Sequence, residues 1–280
     1  MRKIKIVTDS SADIRQSDLE AYGITNVPLT ILIDGESYLD GVEISPDEFL
    51  VKMQQAKELP KSSQPPVGRF LEVYDELGKD GSEILSIHMT GKMSGTVRSA
   101  QQAAEMSQSN VTVVDSEYIS KALSFQVIEA AKMAEEGRTM DEIVAKLAEI
   151  RSQTKLYIVV DTLENLIKGG RIGKATGFIG SLLNIKPICN LDTAEVTPVT
   201  KVRSHAQVIK FLSKQLAEEL NGKELMRVGL AHADGYELTR KLRDKVIELT
   251  GFEDIDIDTT TPIISTHTGL GAMAIMYWAK

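Results

Sequence analysis

The chain has 280 residues, of which 42% are hydrophobic and 26% charged, and it carries a net charge of −8. This is ordinary globular usage with enough chain for one large or two ordinary domains, which excludes disorder and collagen-like repeats. The acidic balance leaves no electrostatic footprint for nucleic acid, and a single cysteine, Cys189, excludes an intrachain disulfide and a cysteine zinc site.

Lys3–Thr8 reads as a short buried strand running into the polar turn Thr8-Asp9-Ser10-Ser11. Asn26–Ile33 reads as a second strand. Ser45-Pro46-Asp47-Glu48 supplies an N-cap, a proline at the first helical position and an acid at the third, which starts a helix. The polar run Lys61-Ser62-Ser63-Gln64-Pro65-Pro66 follows. Ile84–His88 is a strand, and Thr90-Gly91-Lys92-Met93-Ser94-Gly95-Thr96 leads from it into a helical run through Ala100, Ala103 and Ala104. Val111–Val114 is a further strand. Thr139-Met140-Asp141-Glu142 forms a capping box that opens a helix bearing Ile143, Val144, Leu147 and Ile150.

Strands and helices alternate to this point, so the expected first unit, residues 1–153, is a mainly parallel, doubly wound α/β/α domain. The second, residues 154–280, has strand patterns at Lys155–Val160, Ile185–Leu191, Val196–Val202, Met226–Ala231 and Asp254–Asp258. Asp192–Glu195 suits a hairpin turn, so this α/β domain is expected to hold a mixed sheet. Ser204-His205-Ala206-Gln207 is a third capping box, ahead of Val208, Ile209, Phe211, Leu212 and Leu216. A strand around Ile263–Ile264 is expected to run into Ser265–Gly271, with His267-Thr268-Gly269 opening a last helix. The first residues run straight into a strand pattern rather than a signal peptide, and there is no run of about 18 apolar residues to span a bilayer. A soluble, cytoplasmic protein without stable membrane insertion is expected.

Four clusters of small polar residues fall next to strands: Thr8–Ser11, Lys61–Pro66, Thr90–Thr96 and Ser265–Gly271. In open α/β sheets ligands gather at strand carboxyl ends, where helix N-termini offer free N–H groups. Ser94-Gly95-Thr96 and His267-Thr268-Gly269 are therefore candidate anion-binding turns, with ordinary helix capping as the other reading. Ser94 and His267 invite a hydrolase reading. Gly91-Lys92-Met93-Ser94-Gly95 nevertheless lacks the spacing of a nucleophile elbow, and no phosphate loop or dinucleotide fingerprint is present. His88, His205, His232 and His267 have no metal-ligand spacing. Asp9 and Asp115 follow strands and suit turn hydrogen bonding better than a metal. Lys168-Gly169-Gly170-Arg171-Ile172-Gly173-Lys174 reads either as a helix C-cap or as a contact for a phosphorylated ligand or acidic partner, with Arg203 as a neighbour.

Taken in order, these motifs resemble the DegV family. The matching pieces are Val7–Asp13, Ser62-Ser63-Gln64-Pro65, Met93–Thr96 with Ser99-Ala100, Asp115-Ser116, Leu163–Leu166 with Lys168–Ile172, Lys186-Pro187-Ile188 and His267-Thr268-Gly269. Leu270 stands where the family often has proline. The resemblance implies a two-domain α/β protein that holds a long-chain fatty acid in a buried tunnel, like the FakB subunits of bacterial fatty acid kinase. It implies no catalytic residue, no metal and no cofactor beyond the bound acid. A separate kinase catalytic subunit phosphorylates the carboxylate, and the acyl phosphate enters phospholipid synthesis. Carried over by motif, Ser62, Ser94 and His267 hold the carboxylate. Ser63, Gly95, Thr96, Thr268, Gly269 and Arg171 support that site, and Arg171 and Arg203 are partner-docking candidates. The alternatives are a Ser/His lipid hydrolase and a lipid-sensing regulatory module. Met93, Met273 and Phe178 are candidate tunnel-lining residues, with core packing as their other role.

The energetics suit such a ligand. About 15 buried methylenes at roughly 0.8 kcal/mol each contribute on the order of 12 kcal/mol before the costs of binding. The carboxylate needs donors to replace its water, each contributing about 1.5–3 kcal/mol when the acceptor is charged.

Overall fold

A computed structural model describes residues 3–178 and 185–280. In chain order the elements are β1 (Ile4–Asp9), α1 (Gln16–Ala21), β2 (Thr25–Val27), β3 (Thr30–Ile33), β4 (Glu36–Leu39), α2 (Pro46–Gln55), β5 (Lys61–Ser63), α3 (Val67–Gly78), β6 (Glu83–His88), α4 (Thr96–Met106), β7 (Asn110–Asp115), α5 (Ser120–Glu135) and α6 (Met140–Gln153). They continue as β8 (Thr154–Val159), α7 (Glu164–Lys168), β9 (Lys186–Asn190), β10 (Thr197–Val202), α8 (His205–Leu220), β11 (Leu225–Ala233), α9 (Tyr236–Thr250), β12 (Ile257–Thr259), α10 (Pro262–Thr268) and β13 (Ala272–Ala279).

The near-continuous burial of β1 and β6 fits a parallel sheet covered on both faces. They lie at the centre of a four-stranded parallel sheet ordered β2-β1-β6-β7. The six-stranded sheet β10-β9-β8-β13-β11-β12 is mixed: β11 and β12 pair in parallel and the other neighbours are antiparallel. The β9–β10 pair is the expected hairpin, closed over Ala194 with φ +61°. A smaller antiparallel sheet, β4-β3-β5, was not expected. It exists because Pro28 interrupts the segment read as one strand. Proline lacks an N–H and fixes φ, so β2 ends at Val27 and the chain re-enters extended structure at Thr30 in a different sheet. The Lys61–Ser63 run, read as a polar turn, is the edge strand β5.

The local signals at helix starts hold. Ser45 and Thr139 form the capping boxes expected of them. Ser204 caps α8, but Gln207 reaches back to the Arg203 N–H instead of completing a box. The end of the chain corrects the sequence reading. Ile263 and Ile264 lie in α10, so His267 and Thr268 close that helix and Gly269 caps its C-terminus with φ +78°. Pro262 at the first helical position and glycine just past the last set this polarity. The last element is the strand β13.

Helix α5 positions the interior. It packs against β1 and β6 on one side and β8, β11 and β13 on the other. Its Ala122, Leu123, Phe125, Val127, Ala130 and Ala131 are all buried, as a helix lying between two sheets requires. Gly229 on β11 permits this approach, because a Cβ there would stand 2.4 Å from the Lys121 Cβ. The layers thus run from α3 and α4, through the parallel sheet, α5 and the mixed sheet, to α8 and α9. No helix among the described residues is long and apolar enough to cross a membrane.

Candidate functional site

A cavity of about 290 Å³ opens where the loops after β6 and β8 meet α10 and the start of α5. Leu29, Ile119, Ile158, Leu166, Ile263 and Ile264 form its apolar wall. Ser62, Ser94, Arg171, His267 and Thr268 stand on its polar side. A small extension of about 20 Å³ continues the space past Ile119, Ile158 and Ile264 toward Ala231, Ala272 and Met273. On the other side, Ser62, Arg171 and His267 also line an outer cleft of about 740 Å³, with Lys57, Lys61 and Lys168 on its rim. These three residues therefore form the partition between an apolar interior and a polar cleft.

Ser62 and His267 are 205 positions apart in sequence, and the Ser62 Oγ lies 2.6 Å from the His267 Nε2. β5 carries the serine and the last turn of α10 carries the histidine. Burial, reinforced by the Arg171 charge, pushes the His267 pKa down to about 4, so the ring is neutral near pH 7. Its Nδ1 is buried without a hydrogen-bond partner. The tautomer protonated on Nε2 leaves only a lone pair unpaired there, which costs less than a stranded N–H. In that tautomer the ring donates to Ser62, and the serine O–H is free to donate into the cavity.

Two glycines shape this corner. A Cβ on Gly169 would lie 2.3 Å from the His267 Nδ1, and one on Gly269 would lie 2.8 Å from the Asn165 Oδ1. The Asn165 amide donates to the Thr266 carbonyl at 3.1 Å and so ties α7 to α10. Gly169, Asn165 and Gln64 are functional candidates that sequence reasoning did not single out as site residues. Their signal was already inside the quoted motifs, in Gln64 beside Ser62-Ser63 and in Asn165 and Gly169 around Leu166 and Lys168. Gln64 lies against Gly95 and donates to the Ser99 Oγ at 2.9 Å, which joins the β5 loop to α4.

The structure brings most of the expected site residues to this place. Ser94 lines the cavity, with its Oγ 2.8 Å from the Thr96 Oγ1 and accepting from the Thr96 N–H. Gly95 is the N-cap of α4, so that helix directs its free N–H groups to this side. The expectation for His267-Thr268-Gly269 is corrected. A helix C-terminus presents carbonyls, so His267 can serve an anion only through its side chain. Thr268 lines the cavity with a buried, unpartnered Oγ1. Ser63 is exposed at the mouth. Arg171 donates from Nη1 to the Gly169 carbonyl at 2.6 Å and from Nε to the Met93 carbonyl at 3.1 Å, and it makes no salt bridge among the described residues. Its charge is thus available to an anion. Arg203 is exposed after β10 and does not line the cavity. Met93 lines the cavity and Met273 its extension, whereas the Phe178 side chain lies outside the described residues.

The Ser94–His267 pair of a hydrolase is not formed, since His267 pairs with Ser62 and Ser94 with Thr96. Nor is the imidazole oriented by an acid, because its second nitrogen faces Gly169. Asp9 and Asp115 accept turn hydrogen bonds, as their sequence setting suggested.

The family model described as "Uncharacterised protein, DegV family" matches residues 3–280. The chain belongs to the DegV family. It is 46% identical over 279 residues to a DegV domain-containing protein of Listeria monocytogenes, covering 99% of each chain. Among solved structures, a fatty-acid-binding DegV family protein of Thermus thermophilus is similar with a TM-score of 0.94 and 32% identity, over 99% of this chain and 100% of that one. DegV of Bacillus subtilis, described as a fatty acid binding protein, is similar with a TM-score of 0.91 and 32% identity, over 100% of both. The α/β architecture, with its parallel and mixed main sheets, is thus the DegV fold.

Proposed function

We propose that this protein binds a long-chain fatty acid, its methylenes in the cavity beside α5 and its carboxylate held by Ser62, Ser94 and His267. The observation that carries the reading is the Ser62–His267 pair, a hydroxyl and a neutral imidazole 2.6 Å apart on the polar side of an apolar cavity. Neutral donors replace the water of a carboxylate without burying a second charge beside it. Arg171 adds a positive charge at the partition, and Ser63, Gly95, Thr96, Thr268 and Gly269 support the headgroup corner. The fatty-acid-binding relatives of the same fold support the ligand class.

The finer reading is that this is a non-catalytic, cytoplasmic subunit that presents the carboxylate to a separate fatty acid kinase. Its support is the shared wall: the groups nearest the carboxylate also face the outer cleft, where a second protein can reach them. Arg171 and Arg203 are the docking residues in this reading, and no cofactor beyond the bound acid enters it. Residues 1–153 and 154–280 are its two units, one holding the parallel sheet and the other the mixed sheet.

Extraction of recombinant protein followed by mass spectrometry should yield bound fatty acid. Protein that is empty and also refuses added long-chain acids would overturn the reading. His267→Ala and Ser94→Ala should each weaken acid binding by about 10- to 100-fold and leave binding of a matched alkane unchanged. Supplied with a fatty acid kinase catalytic subunit and ATP, the loaded protein should yield acyl phosphate. Binding without that product would favour a lipid-sensing module.

A further inference from the structure

A second cavity, of about 250 Å³, lies at the carboxyl ends of β1 and β2 and shares no lining residue with the first. Four aspartates face it, and three of them are provided for. Asp9 accepts from the Ser11 N–H and hydroxyl, from the His88 Nδ1 and from the Met89 N–H. Asp13 accepts from the Ser120 and Thr260 hydroxyls and the Thr261 N–H. Asp258 pairs with Arg15 at 2.6 Å and Lys121 at 2.6 Å.

Asp40 is the exception. It is 0% exposed; its Oδ1 accepts from the Ile263 N–H at 3.2 Å and the Ser10 hydroxyl lies close enough to stabilise the carboxylate, but its Oδ2 has no hydrogen-bond partner. Burial pushes its pKa up to about 7. Three neutral oxygens on the cavity wall are buried and unpartnered too: Thr8 Oγ1, Asn26 Oδ1 and Thr261 Oγ1. Buried polar atoms in native proteins are nearly always paired, and a cluster of unpartnered oxygens around one space points to a polar ligand; the Thr8 and Thr261 hydroxyls can donate or accept, but the Asn26 Oδ1 and the ionised Asp40 Oδ2 only accept and so call for donors. Burial alone holds Asp40 partly neutral near pH 7, and a positive ligand beside its Oδ2 would favour the ionised form.

The donor set discriminates between cations. Among the described residues no group of three or more His, Cys, Asp or Glu side chains is arranged to hold a metal ion. One free carboxylate oxygen and several neutral oxygens, two of them on the cross-strand partners Thr8 and Asn26, instead suit an ammonium, which carries three N–H donors on a compact charge. Ile14, Leu19 and Pro46 offer an apolar wall to a short aliphatic body. We propose that this cavity is a binding site for a small primary ammonium ligand, with Asp40 as its counter-charge.

Calorimetric titration of the full chain with 1,4-diaminobutane tests the assignment. Saturable binding is expected, weakened about tenfold or more by Asp40→Asn, which keeps the acceptor for Ile263 but removes the charge. Thr8→Val, which removes one orphaned oxygen at nearly constant shape, should give a smaller loss. Circular dichroism and fatty-acid uptake of both variants should match the parent and so confirm their folding. Absence of saturable binding, or equal binding by Asp40→Asn, would overturn the proposal. So would magnesium or potassium ions binding at this site in place of the diamine.

Discussion

Ser86 and Ser62 each hold a histidine ring at hydrogen-bond distance, 2.7 Å to His88 and 2.6 Å to His267. The surroundings differ. His88 is 0% exposed, its Nδ1 meets the Asp9 carboxylate at 3.0 Å, and Ser86 continues to the Tyr74 hydroxyl at 2.7 Å. Phe70 covers the ring edge-on at 5.0 Å. This is the chain of groups expected of a Ser-His-Asp triad, sealed in a core with every group committed. His267 has no acid behind it, one unpaired nitrogen, and a cavity in front. The lesson is that residue types do not separate structure from function here. A satisfied network holds the parallel sheet to the turns that follow it, whereas the half-satisfied pair beside a cavity is the one placed in the proposed ligand site.

The strongest way to break this contrast is Asp9→Ala. It strands four buried donors, and urea unfolding should show a loss of about 3–5 kcal/mol. His267→Ala should cost roughly 1 kcal/mol or less in the same measurement. Equal losses would mean that both histidines serve the fold.

Gly169→Ala sharpens the other side. Gly169 has φ −76°, so alanine brings no backbone strain, but its Cβ would press on the His267 Nδ1 and the Asn165 carbonyl. Fatty-acid affinity should fall by about tenfold with the fold retained. Unchanged affinity would detach the ring's position from binding.

The pH dependence is a smaller effect with a defined sign. The His267 pKa lies below its ordinary 6.5, at about 4. Between those values the unfolded state binds more protons, so stability supplied by the neutral ring is complete above pH 6.5 and is lost as pH falls through 4. Urea midpoints measured across that window should fall less steeply in His267→Gln. The smallest effect is expected for Arg203→Ala. Arg203 is exposed and away from the cavity, so fatty-acid affinity should stay within about twofold, and only assays with a partner should respond.

Much of the fold was legible because its signals are local. The Ser45 and Thr139 capping boxes act between a residue and the third one after it, and the Asp192–Glu195 turn acts within one hairpin. The buried runs of β1 and β6 follow from a sheet covered on both faces. The readings that failed needed information from elsewhere. Whether Ile263–Ile264 is strand or helix cannot be settled by a short apolar run, and it was decided by Pro262, Gly269 and the packing of α10 on α2, α7 and β3. β5 is a strand only because β3 stands beside it.

By itself, then, the sequence determined the α/β class, the parallel and mixed sheets, the main helix starts, and which motifs carry hydroxyls, glycines and a histidine at element ends. Only the tertiary structure decided that Ser62 meets His267 rather than Ser94, that Gly169 abuts the ring, and that Asp40 bonds the Ile263 N–H through one oxygen and leaves the other without a partner. These depend on contacts between segments up to 223 positions apart. Spacing along the chain encodes neighbours within a helix or hairpin, whereas the partner of a buried polar group is set by how whole layers pack.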